Sequence, residues 1–158
     1  MHNIMEFPWQ QEKIILHSQC LIRSFQHWIG KQLLDVNGSP IEIAQALFYA
    51  PFVLVSHGTE ADPIFNYGNH QALALWELSW DDFTKMPSRR TAEEIVQQER
   101  DRLLAAATTQ GFSYFSGVRL TSTGKRFHIQ DGILWNLIDE QNQYCGQAAV
   151  YSQCTFIT

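Results

Sequence analysis

The chain is short of charge. Asp, Glu, Lys and Arg make up 17% of its 158 residues, against roughly 25% in an ordinary soluble protein. The shortfall implies apolar surface covered by a partner or by a second copy of the chain. The charge that is present sums to −5, and its tightest basic clusters are the pairs Arg89-Arg90 and Lys125-Arg126. A nucleic-acid footprint needs Lys and Arg massed together, so nucleic acid is not an expected partner. Cysteine is scarce as well. Cys20, Cys145 and Cys154 are odd in number and lack CxxC spacing, which fits free thiols in a reducing, cytoplasmic setting better than a disulfide framework or a zinc site. No apolar run approaches the about 20 residues of a membrane span, and residues 1–8 show no basic region leading into a long apolar stretch. Missing too are the GxSxG elbow, the Walker phosphate loop, the GxGxxG turn and the HExxH helix.

Apolar residues are plentiful, at 45%, with 13% aromatic. That is enough for a real core in a single domain with a helical extension. From Trp9 to Leu34 the spacing of Ile14, Ile15, Leu21, Ile22, Phe25, Trp28, Ile29 and Leu33 predicts one helix with a wide apolar stripe, closed at Asn37-Gly38. We place the boundary of this extension at residue 38. Ser39-Pro40-Ile41-Glu42 carries a capping box that opens a second helix. Residues 52–67 read as a hairpin, 71–78 as a helical turn, and Ser79-Trp80-Asp81-Asp82 as a fresh helix start. Thr91-Ala92-Glu93-Glu94 opens a long helix over 92–109 that Gly111 closes. Three strands follow, Gly117–Leu120, Phe127–Ile138 and Tyr144–Phe156, joined by two tight turns. Helices followed by an antiparallel meander predict an α+β fold.

Two strands, short helices, one longer helix and three strands is the order of a PAS domain, and local residues agree. Ile64-Phe65-Asn66-Tyr67-Gly68-Asn69, followed by Ala72–Trp76 and Leu78-Ser79-Trp80-Asp81-Asp82-Phe83, resembles the PAS stretch in which a strand leads to an Asn and a short helix. More narrowly, Ala46–Phe52, Tyr114–Arg119, Gly124–Phe127, Leu134–Asp139 and Gly146–Ala149 resemble the MEKHLA domain, a PAS-related module, here of the stand-alone bacterial type. The resemblance implies a five-stranded antiparallel sheet with helices on one face, spanning residues 39–158, behind the N-terminal extension. It also implies a place for a small molecule between sheet and helices. The photoreactive flavin chemistry of some PAS relatives needs a cysteine in the helical middle, and residues 69–110 contain none, so a flavin of that kind is not expected. The cofactor, if any, is left open.

Within that frame the candidate ligand-binding residues are Asn69, Arg119, Asn136 and Gln147 as polar groups, with Tyr67, Trp76, Trp135 and Tyr151 as walls. Strict alternation puts Phe127, Ile129, Ile133, Trp135 and Leu137 on one face of their strand and His128, Gln130, Leu134, Asn136 and Ile138 on the other. Asp131 interrupts the apolar face, and a bulge there would invert the parity. Ser56, His57 and Asp62 are adjacent in sequence but read as a polar turn, and His17 with Cys20 as the polar edge of the first helix.

The expected role is a non-catalytic sensory, ligand-binding and protein-interaction module, with Phe25 and Trp28 as a possible homodimer surface. A small α+β pocket enzyme of the ketosteroid isomerase-like kind is the competing reading, with Asp131 as its carboxylate. A purely structural dimerisation module is the third.

Overall fold

A computed structural model describes residues 7–91, 101, 102, 105 and 110–157. The N-terminal stripe folds as α1, Glu12–Ile29, after one 3-10 turn at Pro8–Gln10. It ends sooner than its apolar pattern suggests. Gly30 takes φ 77° and closes the helix well before Asn37-Gly38, because a left-handed residue ends the helical ladder wherever it occurs. The capping box then starts α2, Pro40–Phe48: Glu42 N–H donates to Ser39 Oγ at 3.3 Å and Ser39 N–H donates to Glu42 Oε1 at 3.0 Å.

The sheet begins with β1, Val53–His57, and β2, Phe65–Gly68. Asn69 caps α3, His70–Trp76, and Ser79 caps α4, Trp80–Phe83. Most of the helix expected over 92–109 lies outside the described residues, of which Asp101, Arg102 and Ala105 are helical. Gly111 follows with φ 90°. The chain closes with β3, Phe112–Leu120, β4, Arg126–Ile138, β5, Tyr144–Tyr151, and β6, Gln153–Phe156. The sheet is antiparallel with order β2-β1-β5-β4-β3. The single last strand expected from the sequence is broken at Ser152. Its second part, β6, runs on along the first half of β4.

Helices cover both faces. On one, Ile14, Leu21 and Phe25 of α1 and Leu47 of α2 pack against Leu54, Trp135, Leu137, Ala148 and Val150. On the other, Ala72 and Trp76 of α3 and Phe83 of α4 pack against Val53, Val55, Phe127, Ile129 and Tyr151. A fully buried Leu or Phe contributes about 1.5–3 kcal/mol, so such contacts, more than intrinsic propensity, hold α1 in place. Phe25 meets the Trp135 ring edge-on at 4.9 Å, and Trp28 Nε1–H donates to the Asn136 carbonyl at 2.9 Å. Both proposed dimer residues therefore face the chain's own sheet.

The uniform face assignment of β4 does not hold. Phe115 pairs with Gly132 but Gly117 with Ile129, so β4 carries one extra residue at this point. Asp131 sits there at φ 56°, exposed to solvent. This bulge moves Phe127 and Ile129 to the α3 side and leaves Ile133, Trp135 and Leu137 on the α1 side. It also removes Asp131 from any interior position, so the carboxylate named for the pocket-enzyme reading faces water.

Candidate functional site

Alternation along β5 is unbroken from Gly146 to Tyr151, so Gln147, Ala149 and Tyr151 share the face turned toward α3. Their pairing partners continue that face, with Val55 and His57 on β1 and Leu134 and Asn136 on β4. Together with Phe65, Trp76, Phe115, Arg119 and Ile129, all of these but Asn136 line a half-open cavity of about 80 Å³. Its walls are mainly aliphatic and aromatic. Among the described residues no Asp or Glu lines it.

Its polar groups are differently engaged: Ser56, Ser88 and Thr91 also line it, with Thr91 Oγ1–H donating to the Ser88 carbonyl at 2.7 Å. Trp76 Nε1–H donates to the Leu120 carbonyl at 2.9 Å, which fixes the indole as a wall. Gln147 Nε2–H donates to Asn136 Oδ1 at 3.0 Å, and both residues are buried. His57 Nδ1 lies 3.0 Å from the Gly58 carbonyl, the geometry of an Nδ1–H donor. Arg119 donates to the Val118 carbonyl at 2.8 Å, with its guanidinium 5.9 Å from the centre of the Phe115 ring. Tyr151 is different. It is only 3% exposed, and its hydroxyl has no hydrogen-bond partner among the described residues. Burial, aided by Cys154 and opposed by Arg119, raises the phenol well above its usual range, so it stays a neutral donor.

Of the eight candidates from the sequence, Trp76, Arg119, Gln147 and Tyr151 line the cavity, and Asn136 stands one hydrogen bond behind. Three lie elsewhere. Asn69 Oδ1 accepts from Ala72 N–H at 3.2 Å and Leu54 N–H at 3.1 Å, and its amide donates to the Phe52 carbonyl at 2.9 Å. It is the cap of α3, tied to β1 through Leu54 and to α2 through an amide donation to the Leu47 carbonyl at 3.4 Å. Tyr67 packs in the α1-side core beside His17, because a register shift next to Asn66 turns Phe65 and Tyr67 to opposite faces. Trp135 is on the α1 side because of the Asp131 bulge. The same two irregularities hide Phe65, Ile129 and Leu134 as cavity residues from any strict alternation rule. The signal that could have found Leu134 is β5, whose regular face fixes its partners through the register.

The MEKHLA domain model matches residues 15–156. The chain belongs to the MEKHLA domain family. Solved structures give the family member's fold a PAS character. The PAS domain of a protein from Colwellia psychrerythraea matches with a TM-score of 0.63 at 16% identity, covering 74% of this chain and 95% of that one. A light-oxygen-voltage domain studied with a flavin analogue matches with a TM-score of 0.58 at 13% identity, covering 74% of this chain and 85% of the other. A comparison with curated proteins gives no match. Among the described residues of this MEKHLA domain no helix is long and apolar enough to cross a membrane, and no cluster of three or more His, Cys, Asp or Glu could hold a metal ion.

Proposed function

We propose that this MEKHLA domain is a sensory module that binds a small, mostly apolar molecule in the cavity beneath α3 and performs no catalytic step on it. The observation that carries the reading is the Tyr151 hydroxyl, buried in a mostly apolar wall without a partner among the described residues. Leaving such a group unsatisfied costs about 1–3 kcal/mol, and a bound acceptor removes that cost. The inner part of the cavity is small. About 80 Å³ exceeds the about 10–15 Å³ that one water needs, yet falls short of the about 150 Å³ that suits benzene. The fitting ligand is a molecule of a few heavy atoms with one carbonyl or ether oxygen facing Tyr151.

A route to the outside is short. Gln147 lines the cavity and holds Asn136, whose carbonyl accepts from Trp28 of α1. A ligand that favours one arrangement of this chain shifts the population of docked α1, and a partner protein reads that helix.

The test is ligand retention. Purified protein is denatured and the released small molecules are identified by mass spectrometry, while a panel of short ketones, aldehydes and ethers is screened by thermal shift. The expected result is a bound or stabilising member of that class, with the stabilisation lost in Tyr151→Phe. Repeated empty preparations and no response to the panel would leave only the interaction role.

A further inference from the structure

The sulfurs of Cys20 and Cys145 lie 3.9 Å apart although 125 positions separate them in sequence. Cys20 is on α1 and Cys145 on β5. Their approach is built into the sheet. Leu137 pairs with Gly146 but Ile138 with Tyr144, so Cys145 is an extra residue turned out of the ladder. The neighbouring backbone has little freedom: Gly146 holds φ 145°, and a Cβ there would fall 2.3 Å from the His57 carbonyl. Beside the bulge, α1 holds the main chain of Ile138. Its carbonyl accepts from Arg23 Nη2 at 3.1 Å, Ser24 Oγ at 3.3 Å and Cys20 Sγ at 3.4 Å. Neither cysteine is fully buried, so a small oxidant has access. The third, Cys154, pairs across from Ile129 and packs in the core on the opposite face.

We propose that Cys20 and Cys145 form a redox latch, in which a peroxide converts the two thiols to a disulfide that ties α1 covalently to β5. The bond needs the sulfurs to close from 3.9 Å to about 2.05 Å. In the first step the Cys20 thiolate attacks one peroxide oxygen. The O–O bond breaks, hydroxide leaves and is protonated to water, and a sulfenic acid remains. In the second step the Cys145 sulfur attacks the sulfenic sulfur as its proton departs. The S–O bond breaks, a second water leaves, and the S–S bond forms. Two thiols lose two electrons and the peroxide gains them. Burial, with Cys20 as the next cause, pushes the Cys145 thiol up, and the product is the same disulfide whichever sulfur attacks first. Reduced, α1 is held by packing and hydrogen bonds and can undock. Oxidised, it cannot.

The latch stands independently of the cavity. Its test treats the full chain with hydrogen peroxide, alkylates remaining thiols and measures intact mass, cross-linked peptides and amide exchange. The expected product has lost two hydrogens, joins the Cys20 and Cys145 peptides, runs as a monomer and leaves only Cys154 open to alkylation. Exchange of the α1 amides should slow about tenfold or more, as global opening becomes the only route. Cys154→Ser should behave the same, whereas Cys20→Ser and Cys145→Ser should each block the product. A bond through Cys154, a bond between chains, oxidised sulfur acids without cross-linking, or unchanged α1 exchange would each overturn the proposal.

Discussion

Ser24 of α1 makes a two-point contact with the main chain of Ile138: its hydroxyl accepts from the amide at 3.0 Å and donates to the carbonyl at 3.3 Å. The serine is fully buried, and the pairing of β3 with β4 ends at Phe112 and Trp135, short of Ile138. One hydroxyl therefore repairs a defect at the end of the sheet and at the same time sets the position of the helix. Ser24→Ala leaves the Ile138 amide buried without a partner. It should destabilise the domain by about 1–3 kcal/mol, read from urea unfolding. A change within a few tenths would show that the amide finds another acceptor.

Gly111 and Trp28 are coupled sterically. A Cβ on Gly111 would lie 2.2 Å from the Trp28 ring, and the residue holds φ 90°. Gly111→Ala should cost about 2–4 kcal/mol, combining the clash with left-handed strain. Trp28→Ala alone opens space and loses the bond to Asn136. In the double variant the clash vanishes but the strain persists. The double-mutant cycle should then show a coupling of at least about 1 kcal/mol, and additivity would disprove the contact.

His17 gives the domain an acid limit. Its Nε2 lies 2.8 Å from Ser56 Oγ and its ring meets Tyr67 at 5.8 Å. Burial lowers the imidazole from 6.5 to about 4. Between those values the unfolded chain binds more protons than the folded one, so stability rises with pH across the window and is lost as pH falls through it. The loss should reach up to about 3 kcal/mol between pH 6.5 and 4. Carboxylates contribute at the low end, since Glu77, bonded to Thr123 and near Lys125, also titrates low. The diagnostic quantity is the difference between wild type and His17→Gln. It should flatten the profile above about pH 4.5, and equal slopes would sink the assignment.

Asp131 tests the bulge. At φ 56° a side chain with a β-branch is disfavoured, whereas Gly is not. Asp131→Val should destabilise by about 1–2 kcal/mol and Asp131→Gly by nothing, or stabilise slightly, in thermal unfolding. Asp131→Asn should be neutral both for stability and for ligand retention, because the carboxylate faces solvent. A large loss of retention in that variant would return Asp131 to the site.

What the sequence determined by itself was everything carried by local signals. The Ser39 box, the Ser79 cap, the turns at Thr121–Lys125 and Asp139–Asn142, and the heavy apolar stripe of α1 each follow from neighbours a few residues apart. Those features specify an α+β chain in PAS order. The tertiary structure decided which face each remaining residue joins. Asp131, Cys145 and Asn66 add or displace one residue in their strands, and a strand's period of two converts each such step into a change of side. That is why Trp135 went to α1 instead of the cavity, why Ile129 came to line it, and why Cys145 met Cys20. Strand periodicity is a local quantity, whereas a bulge is registered only against the neighbouring strand.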